Sequence, residues 1–573
     1  MVPYDLRFGA QERLDHSGKV IEPLSNIGAL MEQLVAARPE AVALSCLHAY
    51  ANPAHEVALR DAISAVLPDA FITCSHEVCP QMGEYERTST TVVNAYIGPA
   101  VSRYLQRLKL ETQALGVRAI TIVKSNGGLT SPENASRFPA HLIESGPAAG
   151  IIAAAAYASK SGEHDLISFD MGGTTAKASV VQDARPGVGQ DFLADRFIDG
   201  RDEGGYLIRS TVLDVVEIGA GGGSIAMIDD GGVLKVGPQS AGAEPGPACY
   251  GRGGVLPTVT DAHAVIGSVA SETFEGSGLT FERALALRAI EEHIARPLGW
   301  TVARAAYAIL DLATARMAEM VRMSTVKRGL DPRDFAVLAS GGAGPLHAAH
   351  VAVETGVKSI LVPPMPGMFS ALGATMGEVQ HDLSHAALRE VSQSDDSELS
   401  DGFESLKHRA QELFDRETLK SDNRSFERFL DIRFTGQLFE LRIPMGHVGD
   451  PMPDRKAIEA AFRAAYHREF GFDLPASAVQ IVKLHLTATM TPERTGANVF
   501  RPGNGRFNAP KAQRSQPFLA RDGTEFPIAV YRSGPVAGRV DGPALIEHAG
   551  STIWVERGQS AEFRKDGSVR VEV

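Results

Sequence analysis

Cysteine is scarce in this chain: four residues, Cys46, Cys74, Cys79 and Cys249, among 573. That is too few for a disulfide framework and fits a reducing cytoplasm. Cys74 and Cys79 have neither zinc-ribbon spacing nor a second pair, so they read as small buried residues. Basic charge is also short. Lys and Arg number 56 against 69 Asp and Glu, a net charge of −13, which argues against general binding of nucleic acid or anionic membranes. No apolar run approaches the ~20 residues of a membrane span. The Ala-rich stretch 150–159 is too short. Residues 1–10 are polar and contain Pro3, Asp5 and Arg7, unlike a signal peptide. Aromatics make up only 6%, whereas glycine is abundant at 57 residues. That balance favours an α/β enzyme with many tight turns over an all-β protein. The length allows roughly three or four domains.

The most informative stretch is 166–181, LISFDMGGTTAKASVV. It reads as a buried strand, a turn through two glycines with two hydroxyls, and a second strand. Gly172 and Gly173 let backbone N–H groups approach an anion closely, and Thr174 and Thr175 add short donors. Asp170, at the strand end, is placed to hold a divalent metal or orient a water. A plain Gly-Gly hairpin fits the same residues. Residues 335–339 form a second buried strand. It runs into Ser340-Gly341-Gly342-Ala343-Gly344-Pro345 and a helix over 346–354. Missing side chains there permit close approach of a base and ribose, and a tight βα turn fits as well.

Elsewhere the pattern alternates between strands and helices. Helices are expected over 30–38 and 55–66 and strands over 41–46 and 71–74, the start of an α/β layer. Longer helices are expected over 88–115 and 301–328. Glu144 and Ser145 precede an apolar helical run, with Ser145 as a candidate N-cap. Glu217 leads into the glycine run 219–224. Asp261 and His263 lie two apart, which puts them on one face of a strand or at a helix start. His347 and His350 read as packing on their helix, with no zinc-site Glu between them. Lys177 either reaches the phosphate turn or points away from it. Residues 389–402 are acidic and Ser-rich and read as a domain boundary. Residues 494–517 read as a long loop, and the C-terminal part as α+β, mostly β near its end.

Several of these segments recur together in one family. EYERTSTTVVNAYIGP (84–99), SNGG (125–128), ESGPAAG (144–150), FDMGGTTAK (169–177), GAGGGS (219–224), SAGAEPGPACYGRGG (240–254), PTVTDA (257–262) and SGGAGPLHA (340–348) stand in order, with GPALIEHAGSTIWVERG (542–558) near the end. The chain resembles the hydantoinase A / 5-oxoprolinase / acetone carboxylase β-subunit family over essentially its whole length. The resemblance implies an actin/hexokinase/Hsp70-like two-lobed ATPase fold with a C-terminal α+β, β-rich domain. It divides the chain into 1–165, the remainder of a first lobe; 166–388, a second lobe with phosphate and adenosine loops; and 403–573, an accessory domain.

The resemblance also implies ATP and Mg²⁺ as cofactors. Asp170 becomes the catalytic and metal-holding carboxylate, Gly172, Gly173, Thr174 and Thr175 the phosphate loop, and Gly341, Gly342 and Gly344 the adenosine loop. The implied function is an ATP-dependent cyclic amidase subunit that phosphorylates a lactam or imide carbonyl for hydrolysis, working with a hydantoinase B-type subunit. A ketone-carboxylase β-type subunit and an ATPase-dead partner-binding scaffold are the alternatives. Family members open with a β-hairpin carrying a first phosphate loop. Residues 1–23 resemble a region inside a typical member, so that hairpin is expected to come from another chain, from a misplaced start, or to be lost.

Overall fold

The structure, a computed structural model, describes residues 2–194, 197–198, 201–202, 205–269, 281–492, 500 and 507–573. The chain folds into two units, each assembled from separated segments. The first comprises residues 1–145, 188–212 and 377–494, and the second 146–187, 213–376 and 495–573. This differs from the three consecutive domains read from the sequence. Residues 403–494 belong with the N-terminal quarter, and 495–573 return to the unit that carries the Gly172-Gly173 turn.

The first unit is built on a six-stranded sheet. Its order is Leu441–His447, Arg424–Phe434, Val479–Met490, Val379–Glu390, Leu129–Thr130 and Ile122–Val123. Buried side chains alternate along Arg424–Phe434 and meet helices Asp396–Arg416 and Arg455–Phe470 through Phe403, Phe414, Ile458 and Phe462. The expected boundary at 389–402 is therefore no linker. The strand runs to Glu390, and Asp395 caps the helix by accepting from the Ser397 N–H at 2.9 Å. The acidic run is the solvated first turn of an amphipathic helix, where carboxylates also suit the helix dipole.

A smaller layer in the same unit pairs Ala41–Leu44 in parallel with Phe71–Cys74. Helices Ile27–Ala37 and Ala54–Val66 cover it, close to the expected ranges. Here Cys74, Glu56 and His76 bring potential ligand atoms within 4.8 Å of one another. Glu56 is already fully engaged, accepting from Cys46 N–H, Ser75 Oγ, His76 N–H and His76 Nδ1 at 2.6–3.0 Å. Burial pushes the Cys74 thiol up to about 12. The group is a polar knot in the core, and Cys74 and Cys79 are buried, as read from the sequence.

The second unit carries a nine-stranded mixed sheet. Its order is Val216–Ile218, Ala176–Gln182, Leu166–Met171, Ala336–Ser340, Ser359–Val362, Val569–Glu572, Ser560–Phe563 and Gly538–Asp541, with Arg185–Pro186 paired onto Ala176–Gln182. Ala336–Ser340 runs parallel to both its neighbours, and all five of its residues are buried. Helix Val302–Ser324 packs its Ile309, Ala313, Met317 and Met320 face into this core. Thr301, the expected first residue, caps that helix by accepting from the Arg304 N–H at 3.2 Å, so the helix itself starts one residue later. Half of the loop expected at 494–517 lies outside the described residues, and a strand begins at Arg514.

Candidate active site

Asp170 is the penultimate residue of Leu166–Met171. It stands opposite Lys177 on the antiparallel side and Ser340 on the parallel side. The carboxylate is half-buried and accepts one long hydrogen bond, from Ser370 Oγ at 3.3 Å. Burial raises its pKa above the ordinary aspartate value, against the pull of Ser370 and Lys177. Lys177 makes its ion pair elsewhere, with Glu217 at 3.7 Å. Asp170 therefore carries an under-compensated charge, the condition under which a cation is welcome.

The turn that follows is held from outside. Gly172 N–H donates to Thr175 O at 3.1 Å, closing the turn. Its carbonyl accepts from Gly222 N–H at 3.1 Å, and the Gly173 carbonyl accepts from Gly223 N–H at 2.6 Å. The run Gly219–Ser224 is thus pressed against this first glycine turn. A Cβ on Gly221 would lie 2.6 Å from the Gly173 carbonyl and from Thr174 C. Ser224 Oγ accepts from Gly221 N–H at 2.8 Å, and Thr260 Oγ1 donates to Gly222 O at 2.8 Å. The sequence showed the triple glycine but not its role, because the contact spans some fifty residues of chain. Gly172, Gly173 and Thr174 remain exposed, and a Cβ on either glycine would meet nothing within 4 Å.

The second glycine turn lies beside the first. Ala343 N–H donates to Met171 O at 3.1 Å, and Gly341 N–H to Pro366 O at 2.8 Å. Gly341 has a φ of +83°, and a Cβ there would sit 2.3 Å from Met171 O and 2.5 Å from Asp170 Oδ1. Only glycine meets both conditions. Gly342 is exposed, and its carbonyl accepts from Ser551 Oγ at 3.0 Å. Gly344 opens helix Gly344–Thr355, with Pro345 in its first turn. The structure thus brings together all the residues read as a phosphate and adenosine site: Asp170, Gly172, Gly173, Thr174, Thr175, Gly341, Gly342 and Gly344.

Other candidates are used differently. Asp261 sits in helix Val259–Ile266 and forms a capping box with Thr258. Its carboxylate accepts from the N–H groups of Ala248, Cys249 and Thr258 at 2.8–3.1 Å and from Thr258 Oγ1. With four donors on its carboxylate it is a structural clamp on the glycine- and proline-rich segment. His263 meets His347 with Nε2 atoms 3.0 Å apart, and its Nδ1 meets Ser268 Oγ at 2.7 Å. Burial pushes His263 down to about 3 and His347 well below its usual value, so both rings are neutral packing elements. His350 meets Glu556 at 3.0 Å. Ser145 opens helix Ser145–Ser161 rather than capping it, after Glu144 in a left-handed conformation at φ 68°.

In this α/β protein two glycine turns lie beside one strand-end carboxylate of a mixed sheet. Residues 87–383 match the Hydantoinase/oxoprolinase family and residues 1–67 its N-terminal region. This chain belongs to that family. It is 34% identical over 573 residues to the caprolactamase subunit alpha of Pseudomonas jessenii, covering 97% of this chain and 80% of the relative. The crystal structure of the ATP-dependent caprolactamase from the same organism superposes with a TM-score of 0.81 at 30% identity, over all of this chain and 82% of that one. A nucleotide-free acetone carboxylase structure matches with a TM-score of 0.77 at 23% identity, over all of this chain and 82% of that one, a likeness of fold. No helix among the described residues is long and apolar enough to cross a membrane.

Proposed function

We propose that this chain is the nucleotide-using subunit of an ATP-dependent cyclic amidase, one that activates a lactam or imide carbonyl by phosphorylation for hydrolysis. The reading includes an actin/hexokinase/Hsp70-like ATPase fold for the unit that carries the two glycine turns. The observation that carries it is the convergence of both turns on Asp170, with Gly341 within 2.5 Å of its carboxylate by the position of an added Cβ. Membership in the hydantoinase/oxoprolinase family and likeness to a caprolactamase supply the substrate class.

The residues fit ATP and Mg²⁺. Asp170 is a carboxylate short of positive charge, suited to hold Mg²⁺ or a water bound to it. The turn of Gly172, Gly173, Thr174 and Thr175 would hold the phosphates through the N–H groups that follow Gly172, whose own N–H closes the turn, and through two hydroxyls. Gly341, Gly342 and Gly344 present a surface without side chains for the nucleoside. Bound Mg·ATP supplies the phosphoryl group that makes the carbonyl oxygen a leaving group. The chain's contribution is positioning and charge neutralisation, which dominate phosphoryl transfer. Gly222 and Gly223 fix the turn through its carbonyls, so its N–H groups are oriented before the anion arrives.

Ring opening is assigned to a hydantoinase B-type subunit. The relative's designation as subunit alpha fits such a division. The test is phosphate release and ring opening with caprolactam, 5-oxoproline and hydantoin, each with and without a co-expressed partner subunit. Lactam-stimulated phosphate release supports the amidase. Stimulation only by a ketone with bicarbonate would move the assignment to a carboxylase subunit, the reading that the fold likeness to acetone carboxylase keeps open. Partner binding without any turnover would mark a scaffold.

A further inference from the structure

The first unit contains a cavity of about 370 Å³ whose walls come wholly from that unit, large enough for a small ligand. Two acids line it, Glu77 and Asp382, and both are engaged. Glu77 pairs with Arg137 at 3.2 Å. Asp382 accepts from Asn126 Nδ2 at 2.7 Å and Thr487 Oγ1 at 2.8 Å. Burial works against its charge, but His485, Lys124 and Asn126 outweigh that and hold it well below the usual carboxylate range. Glu77 thus faces Arg137, and Asp382 faces His485 and Lys124, which leaves Arg409 and Arg416 without an acid of the cavity beside them.

The cations of the cavity are not matched in the same way. Lys124 donates to the Gln380 carbonyl. Its other two ammonium hydrogens have no protein acceptor among the described residues. Burial depresses Lys124 and is opposed by Asp382 and Glu417. Its neighbour His141 contributes no charge. Burial and Lys124 push His141 down to about 4, and its Nε2 lies 3.2 Å from the Val78 carbonyl. Arg409 and Arg416 also line the cavity, on one helix and two turns apart, and neither has a carboxylate within 4 Å among the described residues. Surface arginines alone are ordinarily solvated. Lys124 is only partly buried, and its remaining ammonium donors open to the cavity, where an anion would give them acceptors.

We propose that this cavity is a binding site for a small anion, a carboxylate or a phosphorylated compound, held at Lys124 with Arg409 and Arg416 supplying the outer positive charge. Both chemistries offer a charged oxygen cluster to an ammonium and to the guanidinium forks. A neutral amide does not use the surplus charge. The inference stands on the first unit alone and is independent of the nucleotide reading.

The test is calorimetric titration of the full chain with glutarate, inorganic phosphate and neutral 2-pyrrolidinone, repeated on Lys124→Gln and on Arg409→Gln/Arg416→Gln. The expected result is that one of the two anions binds with a Kd below about 1 mM, at least tenfold more tightly than 2-pyrrolidinone. The double variant should weaken that binding at least tenfold. Preference for glutarate identifies a carboxylate ligand, and preference for phosphate a phosphoryl group. The arginines are exposed, so the double variant stays readable if Lys124→Gln fails to fold. Absence of anion binding, equal binding of the neutral lactam, or anion binding unchanged in the double variant overturns the proposal.

Discussion

Asp170 and Asp261 show what a single residue discloses in sequence. Both stand near glycines, and both are acids in family motifs. The structure separates them by their partners. Asp170 has one hydrogen bond at 3.3 Å, whereas Asp261 accepts four. The strand-end position of Asp170 was legible because DMGG follows the mostly apolar segment LISF. The clamp made by Asp261 was not, since the N–H groups that donate to it at Ala248 and Cys249 lie in a glycine- and proline-rich segment with no periodicity. Asp170→Asn should lower kcat for ATP hydrolysis on the order of 10²–10³-fold and leave the melting temperature nearly unchanged, measured by phosphate release and calorimetry. Asp261→Ala should destabilise by about 1–3 kcal/mol, because it strands buried N–H donors, and should lower the melting temperature.

Glu417 provides a pH signature in the first unit. Its carboxylate accepts from Ser131 N–H at 2.6 Å and from Thr130 Oγ1 and Asn134 Nδ2 at 2.8 Å. Burial pushes it up, but His381 and these donors outweigh burial and hold it at about 2, below the ordinary 4.5. A depressed folded pKa stabilises above the unfolded value and is lost as pH falls through the folded one. Stability on the order of 2–3 kcal/mol should therefore disappear between about pH 4.5 and 2. In Glu417→Gln the acid unfolding profile should be flatter across that window, as followed by circular dichroism.

At the scale of elements, the strand–turn–strand and strand–turn–helix around the two glycine turns followed the expected ranges within a residue or so. Apolar runs and glycine punctuation are local signals. What stayed hidden was the packing of one glycine run on another. Gly221 and Gly172 separate the two uses of glycine. A Cβ on Gly221 meets backbone at 2.6 Å, whereas one on Gly172 meets nothing within 4 Å. Gly221→Ala should displace the phosphate turn, costing about 1–3 kcal/mol as well as nucleotide affinity. Gly172→Ala should keep the melting temperature and lose Mg·ADP affinity by at least about tenfold, since its added methyl enters only the space reserved for the anion. Equal thermal behaviour of the two variants would show that the Gly219–Ser224 run does not brace the turn.

At the scale of the whole chain, consecutive segments do not correspond to folded units. Periodicity names elements but not which distant strand each one pairs with, and non-local pairing decides the units. The last residues show this best. Val569–Glu572 pairs antiparallel with Ser359–Val362, and Ser560–Phe563 and Gly538–Asp541 extend the same sheet outward. Ser551–Val555 lies in the core that also contains helix Gly344–Thr355, and Ser551 holds the Gly342 carbonyl. A C-terminal accessory domain would come away cleanly. This segment would instead take three strands and a wall of the core with it, leaving Ser359–Val362, buried at all four residues, as an apolar sheet edge open to pairing with other chains. A chain ending at residue 494 should therefore be insoluble or should melt without a cooperative transition, and should not bind Mg·ADP. The measurement is solubility, a thermal melt and calorimetry on the shortened chain beside the full one. Retention of nucleotide binding after removal of 495–573 would mean that the second unit's sheet closes without its final strands and that this part of the chain is an accessory after all.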